Sequence, residues 1–80
     1  MIVSVEISYY PLTSEYNQPV EDFLNIISNQ SGVSVEPGNM STLISGEYSK
    51  VMEILNHAMG DLMEHHASVF NLKISNSCPI

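Results

Sequence analysis

Ser41 and Thr42 place two adjacent hydroxyl groups at the middle of an 80-residue chain. They lie within residues 38–46, the sequence GNMSTLISG, in which a turn signal is followed by a strand-like segment. Hydroxyl groups donate and accept hydrogen bonds without carrying a charge. They are therefore suited to the polar edge of a small ligand, and we expect such a ligand to lie near this pair.

Aromatic residues lie on both sides of this pair in the sequence. Tyr9, Tyr10 and Tyr16 stand at the end of the first predicted strand and in the loop after it, and Phe70 begins the last strand. Such rings could flank a flat heterocycle while hydroxyl groups hydrogen-bond to its edge. The alternative is that Tyr9 and Phe70 are core residues, and the pattern taken alone favours this alternative.

One row of titratable residues is spaced four apart on the second predicted helix. It consists of Glu53, His57, Asp61 and His65. Neighbouring members of such a row can share a metal ion, but they also form weak pairs on a solvated helix face. Because no second segment offers an obvious third ligand, we interpret the row as a solvated face and predict neither a metal site nor a cofactor.

Catalytic chemistry has no recognisable arrangement in this sequence. Neither a G-x-S-x-G motif nor a Cys–His pair is evident, and Cys78, the single cysteine, stands near the end of the chain. We therefore predict that the protein is not an enzyme. The alternatives are a small enzyme that uses His57 or His66, and an oligomeric structural or regulatory module that binds no small ligand.

The charge of the chain restricts its partners. The net charge is −7, there is no arginine, and Lys50 and Lys73 are the two lysines. Nucleic acids and phosphorylated ligands are normally bound by clusters of Arg and Lys, so both are disfavoured. An acidic protein favours a neutral or cationic ligand. No signal peptide or membrane-spanning segment is evident, and we expect no membrane insertion and a cytoplasmic protein.

The size and composition indicate one small domain over residues 1–80. Hydrophobic residues make up 44% of the chain and charged residues only 14%. A chain of this length buries little more than about 60% of its unfolded surface. We therefore expect self-association, in which a partner subunit covers part of the apolar surface.

The first half of the chain predicts a strand, a helix and a second strand. Residues 2–10 alternate between apolar and polar, as a half-buried strand does. Pro19 suits the first position of a helix, and Gly32 is expected to end it in the left-handed conformation. Residues 33–36 alternate again. The apolar face of the helix consists of Val20, Phe23, Leu24 and Ile27.

The second half repeats this order. Residues 41–47 predict a third strand, with Thr42 and Ile44 on one face and Ser41, Leu43 and Ser45 on the other. Ser49 is predicted to cap the second helix. The face of that helix consists of Val51, Leu55, Ala58, Met59, Leu62 and His66. Residues 70–75 predict a fourth strand, in which Lys73 pairs with Glu6 across the sheet.

The β-α-β-β-α-β order predicts an α+β fold, the ferredoxin-like sandwich. Its antiparallel four-stranded sheet has the strand order 4-1-3-2, and both helices lie on one face.

Two motifs resemble those of a known family. Residues 4–12, SVEISYYPL, resemble its opening S-V-x-[IF]-S-x-Y-P strand, and residues 41–46, STLISG, resemble its central S-T-L-x-x-G strand. The family is the YkoF-like, or MTH-type, thiamine-binding protein family, formerly a domain of unknown function. The resemblance covers essentially the whole chain and is that of a single-repeat member.

The resemblance implies a ferredoxin-like fold that forms homodimers or homotetramers through its sheets. It also implies non-catalytic binding of thiamine or its hydroxymethylpyrimidine moiety. The pyrimidine is associated with the Ser-Thr pair, which corresponds to Ser41 and Thr42. Tyr9, Asn39 and Ser45 are added because they lie close to the motifs.

The predicted function is thus that of a small cytoplasmic binding protein. The acidic composition suits the cationic thiazolium ring of thiamine, and either Glu6 or Glu36 could balance that charge. The scarcity of basic residues favours free thiamine over its diphosphate.

Overall fold

The computed structural model describes residues 1–15 and 17–77, so Tyr16 and Cys78 lie outside the described residues. The elements are β1 (Ile2–Pro11), α1 (Asn17–Ser28), β2 (Val33–Pro37), β3 (Thr42–Glu47), α2 (Tyr48–His65) and β4 (Ser68–Ser75). The strands form one antiparallel sheet in the order β2-β3-β1-β4. This is the predicted order read from the other edge, and the βαββαβ α+β fold is confirmed.

Alternation along β1 decides which face of the sheet the helices cover. Val3, Val5 and Ile7 are almost wholly buried in the core, whereas the residues between them are only half-buried. Burying one such side chain contributes about 1.5–3 kcal/mol. The other core residues are Phe23, Ile27, Ile44, Val51, Ile54, Leu55, Ala58 and Leu62. The uncovered face, which carries Glu6, is called the open face below.

The α1 helix begins two residues before the predicted start. Its first residue is Asn17, so Pro19 lies in the first turn, where the N–H group has no helical partner in any case. Gly32 has the predicted left-handed conformation, with φ of +85°. Because the helix ends at Ser28, Gly32 turns the chain into β2 instead of capping the helix.

The α2 helix follows β3 without a loop, and the predicted Ser49 cap is wrong. The N-cap is Glu47, the last residue of β3, and Ser49 lies inside the helix. The Glu47 carboxylate makes no cap hydrogen bond, because it binds the N-terminal ammonium group of Met1 at 3.0 Å. The Met1 carbonyl in turn accepts a hydrogen bond from the Tyr48 N–H at 2.9 Å.

In the part of the chain that the structure describes, no helix is both long enough and apolar enough to cross a membrane.

Candidate ligand-binding cavity

Near the end of β1 the pairing with β3 stops, and a cavity lies at that point. Pairing between β1 and β3 ends at Ile7–Thr42, whereas pairing between β1 and β4 continues as far as Pro11–Ser68. The chain reverses between β2 and β3 beside this gap, and α1 covers it. The cavity has a volume of about 570 Å³, which lies within the range of about 300–1,000 Å³ that is typical of small-molecule sites.

The cavity wall is apolar and aromatic on two sides and polar on the third. Its lining residues are Ile7, Tyr9, Tyr10 and Pro11 of β1, Val20, Phe23 and Leu24 of α1, and Gly38, Asn39, Met40, Ser41 and Thr42 of the reversal. None of these described residues is a carboxylate, lysine, arginine or histidine. The cavity therefore suits a flat, uncharged ring with a polar edge.

Thr42 offers a hydroxyl group that the protein itself does not use. The residue is 6% exposed, and its hydroxyl hydrogen-bonds to none of the described residues. Every fully buried side-chain nitrogen or oxygen atom in the described residues has a partner, so this hydroxyl must be accessible from the cavity. A ligand that displaces water here has to bond to the hydroxyl, because leaving it unpaired costs about 1–3 kcal/mol.

Ser41 lines the same cavity, but its hydroxyl is engaged elsewhere. The strand begins at Thr42, one residue later than predicted, so Ser41 immediately precedes it. As predicted, Ser41 and Thr42 point to opposite faces of the sheet, and Thr42 shares the buried face with Ile44. The Ser41 hydroxyl donates to Oε2 of Glu6 at 3.2 Å on the open face. Of the two adjacent hydroxyl groups, that of Ser41 is hydrogen-bonded within the protein and that of Thr42 is not.

The structure brings Tyr9 and Asn39 to the cavity together with Ser41 and Thr42. Tyr9 is half-buried, and its hydroxyl lies 3.2 Å from that of Ser68. Asn39 is exposed at the apex of the chain reversal. Ser45 does not line the cavity: it lies three residues further along β3, about 10 Å from Thr42.

The aromatic residues form a packed cluster instead of a slot. The rings of Tyr9 and Phe70 stack on each other, with centroids 4.5 Å apart and planes at 7°, and Phe23 tilts against both. A ring placed between two others needs a centroid separation of about 7 Å, twice the contact distance of ~3.5 Å. A ligand ring therefore does not fit between Tyr9 and Phe70, although it can meet Tyr9 from the cavity side.

Residues of α1 form one wall of the cavity, and the sequence analysis did not predict that they belong to the site. Val20 and Leu24 belong to the apolar face of α1 but are only half-buried, since they border the cavity. The lengths of β1 and α1 could have indicated that part of the strand is left without helix packing. The ten residues of β1 span about 33 Å, whereas the twelve residues of α1 span about 18 Å, so the helix cannot cover the whole strand.

The row of titratable residues on α2 lies elsewhere. Among the described residues, no group of three or more His, Cys, Asp or Glu side chains is arranged to hold a metal ion.

The pKa of His65 is raised because its Nδ1 lies 2.8 Å from the Asp61 carbonyl oxygen and because the Asp61 charge is near. Neither His57 nor His66 lines the cavity. His66, which was predicted to continue the helix face, is the C-cap of α2.

Residues 5–76 match the family described as thiamine-binding protein. This chain belongs to the thiamine-binding protein family. The match spans nearly all of both motifs on which the resemblance was based, and it confirms that resemblance. No curated protein matches the chain.

Solved structures share the fold of this member of the thiamine-binding protein family at low sequence identity. A protein from Streptococcus pneumoniae has a TM-score of 0.85 at 20% identity, over 94% of this chain and 86% of its own. A protein from Thermotoga maritima, described provisionally as a thiamine biosynthesis or salvage protein, has a TM-score of 0.83 at 21% identity, over 96% and 85%. A domain of unknown function from Bacillus cereus has a TM-score of 0.77 at 24% identity, over 94% and 75%.

Neither carboxylate considered as a partner for a cationic ring lines the cavity. Glu6 lies on the open face, where its Oε1 is 3.8 Å from the Lys73 ammonium group, which confirms the predicted cross-strand pair. Glu36 is exposed on the edge strand β2. A cationic group in this cavity would meet tyrosine rings, which attract cations through their faces.

Proposed function

We propose that this protein binds thiamine, or its hydroxymethylpyrimidine moiety, in the cavity beneath α1 without transforming it. The observation that carries this proposal is the Thr42 hydroxyl, which is nine-tenths buried, faces the cavity and has no partner among the described residues. A pyrimidine ring has flat faces for an apolar wall and nitrogen atoms on its edge that exchange hydrogen bonds with a hydroxyl or an amide. Membership in the thiamine-binding protein family supports a thiamine-related ligand.

The polar and apolar parts of the cavity are separated in the way such a ring requires. Val20, Leu24 and the Tyr9 ring form the apolar side, and Thr42 and Asn39 form the polar edge. We assign the ring faces to the first group and the ring edge to the second. The charged side chains are left outside, so the pyrimidine end enters and the cationic end stays nearer the mouth.

The ligand that we propose is unphosphorylated. Phosphate groups in proteins are usually met by arginine, lysine or the start of a helix. The described cavity residues include no cation. Lys73 is paired with Glu6 on the open face, and Lys50 lies in the first turn of α2, which follows the far end of β3. A phosphorylated ligand would therefore enter an acidic protein without a compensating charge.

Calorimetric titration with thiamine, hydroxymethylpyrimidine and thiamine diphosphate tests the ligand. We expect the first two to bind and the diphosphate to bind at least about tenfold more weakly, a difference of about 1.4 kcal/mol. If none of the three binds or raises the melting temperature, the proposed function is wrong. If the diphosphate binds best, the charge argument is wrong while the thiamine-related role stands.

Thr42→Val tests the site, because it removes the hydroxyl and keeps the shape of the side chain. We expect a loss of thiamine affinity of about 0.5–1.5 kcal/mol, with unchanged stability. Thr13→Val is the matched control, since Thr13 is exposed and does not line the cavity. Equal affinities for the two variants would place the ligand elsewhere.

We propose in addition that the protein is a cytoplasmic homo-oligomer that associates through the end of the open face near Ile2. Four serines lie in register across the sheet in one row of small side chains, namely Ser34, Ser45, Ser4 and Ser75. Ile2, which is 64% exposed, adds apolar area at the same end of this face. Sedimentation analysis of Ser45→Arg, compared with the wild type, should show a smaller species, and an unchanged mass would contradict this surface.

A further inference from the structure

The chain reversal beside the cavity is held in place by hydrogen bonds. Residues 38–41, called the cavity lip here, follow β2, and residues 36–40 are all exposed. Met40 is the most exposed large apolar residue of the lip, at 89%. Because no buried side chain lies between Val35 and Thr42, packing contributes little to the position of the lip.

Three hydrogen bonds between described residues fix the lip. The Gly38 N–H donates to the Ser41 carbonyl at 2.9 Å and closes the turn. The Ser8 hydroxyl donates to the Met40 carbonyl at 3.3 Å. The Ser41 hydroxyl donates to Oε2 of Glu6 at 3.2 Å. The last two connect the lip to β1 on the open face, next to the point at which β1 and β3 stop pairing.

Of these three bonds, only the one from Ser41 to Glu6 has a charged acceptor. It is half-buried and its acceptor is a carboxylate, although its length of 3.2 Å exceeds the about 2.5–2.7 Å of a strong O–H···O⁻ bond. Lys73 approaches the other carboxylate oxygen, Oε1, at 3.8 Å, so Oε2 is left to Ser41. The ion pair itself is exposed and weak.

We propose that Glu6 is a positioning residue for the cavity. It acts from the open face, where it touches no ligand, and holds the lip through Ser41 so that Asn39 and Met40 keep a fixed spacing from β1, whereas Thr42 is already paired with Ile7 of β1. The effect on affinity rests on the proposed function. The effect on the lip does not, because it is a property of the protein without ligand.

Amide hydrogen exchange at Gly38, followed by NMR in the ligand-free protein, tests the effect on the lip. Glu6→Ala should raise the exchange rate of this amide about three- to tenfold, which corresponds to the loss of one hydrogen bond. Glu36→Ala is the matched control, because Glu36 lies in the same register row of the open face but hydrogen-bonds to no described residue. Unchanged exchange at Gly38 in Glu6→Ala, or the same increase in both variants, would overturn the proposal.

Two further variants separate positioning from charge. Glu6→Gln keeps an oxygen acceptor for Ser41 and should restore most of the protection of Gly38. Lys73→Met removes the ion pair alone and should leave the exchange rate unchanged. If Glu6→Gln behaves like Glu6→Ala, or if Lys73→Met does so, the charge pair and not the bond to Ser41 holds the lip.

Thiamine titration of the same variants tests the consequence for binding. Glu6→Ala should weaken binding about three- to tenfold, Glu6→Gln should recover it, and Glu36→Ala should not change it. Equal affinity of Glu6→Ala and the wild type would refute positioning of the site. Failure of the wild type to bind thiamine would instead count against the proposed function, and exchange at Gly38 would still decide whether Glu6 holds the lip.

Discussion

α1 and α2 pack on the same face of the sheet and differ in how much of it they cover. The 18 residues of α2 contribute five buried side chains, from Val51 to Leu62, whereas the 12 residues of α1 contribute Pro19, Phe23 and Ile27. Under α2 the sheet is sealed by aliphatic packing. Under α1 the packing is incomplete, and a cavity lies between the helix, the end of β1 and the chain reversal before β3. One helix thus packs tightly on the sheet, and the other borders a cavity.

This division predicts unequal costs for the same truncation in the two helices. Leu55→Ala in α2 removes a fully buried side chain and should lower the free energy of unfolding by about 2–5 kcal/mol. Leu24→Ala in α1 removes a half-buried side chain that borders the cavity, and should cost about 1 kcal/mol. Urea unfolding measures both. Equal losses would show that α1 seals the sheet as α2 does.

Two glycines provide a comparison of backbone tolerance. At Gly38 in the cavity lip, an added Cβ would lie 2.9 Å from the Ser41 carbonyl oxygen, so Gly38→Ala must displace the lip. At Gly60 in α2, no atom outside the neighbouring backbone of the helix itself lies within 4 Å of the added Cβ. We expect Gly38→Ala to lower the free energy of unfolding by about 1 kcal/mol, and Gly60→Ala to raise it by up to about 1 kcal/mol.

Thermal unfolding with and without thiamine measures the stability of the Gly38→Ala and Gly60→Ala variants and the stabilisation that the ligand gives each of them. Gly38→Ala should also lose part of the stabilisation that the ligand gives, because the lip forms one side of the cavity. Gly60→Ala should keep it in full. The comparison fails if the two substitutions change stability in the same direction.

The smallest effect is expected at the end of α2, where His65 has a raised pKa. A group whose pKa is higher in the folded state stabilises the protein when it is protonated. This stabilisation is complete below the ordinary pKa of 6.5 and disappears as the pH rises through the raised pKa of the folded state. Urea titrations of His65→Gln and the wild type should therefore differ slightly at acidic pH and agree at alkaline pH. A difference that grows with pH would contradict the assigned direction.

Local patterns in the sequence were sufficient for the architecture. Period-two alternation in β1 and period-3.6 spacing in the helices depend on residues that are close in the chain, so the six elements, their order and the α+β fold could be predicted. The same holds for the opposite orientations of Ser41 and Thr42, which follow from the pleat of a strand. Helix starts were harder to predict, because the cap of α2 is decided by contacts between Glu47 and the distant N-terminus.

The sequence by itself determined the fold, the family and four of the residues that meet at the cavity, Tyr9, Asn39, Ser41 and Thr42. Only the tertiary structure decided what each of them can do there. The point at which β1 stops pairing with β3 creates the cavity and leaves Ser45 outside it. The Ser41 hydroxyl bonds to Glu6 on the open face, whereas the Thr42 hydroxyl, on the other face, has no partner among the described residues. These properties depend on hydrogen bonds between residues far apart in the chain, which alternation and spacing do not encode.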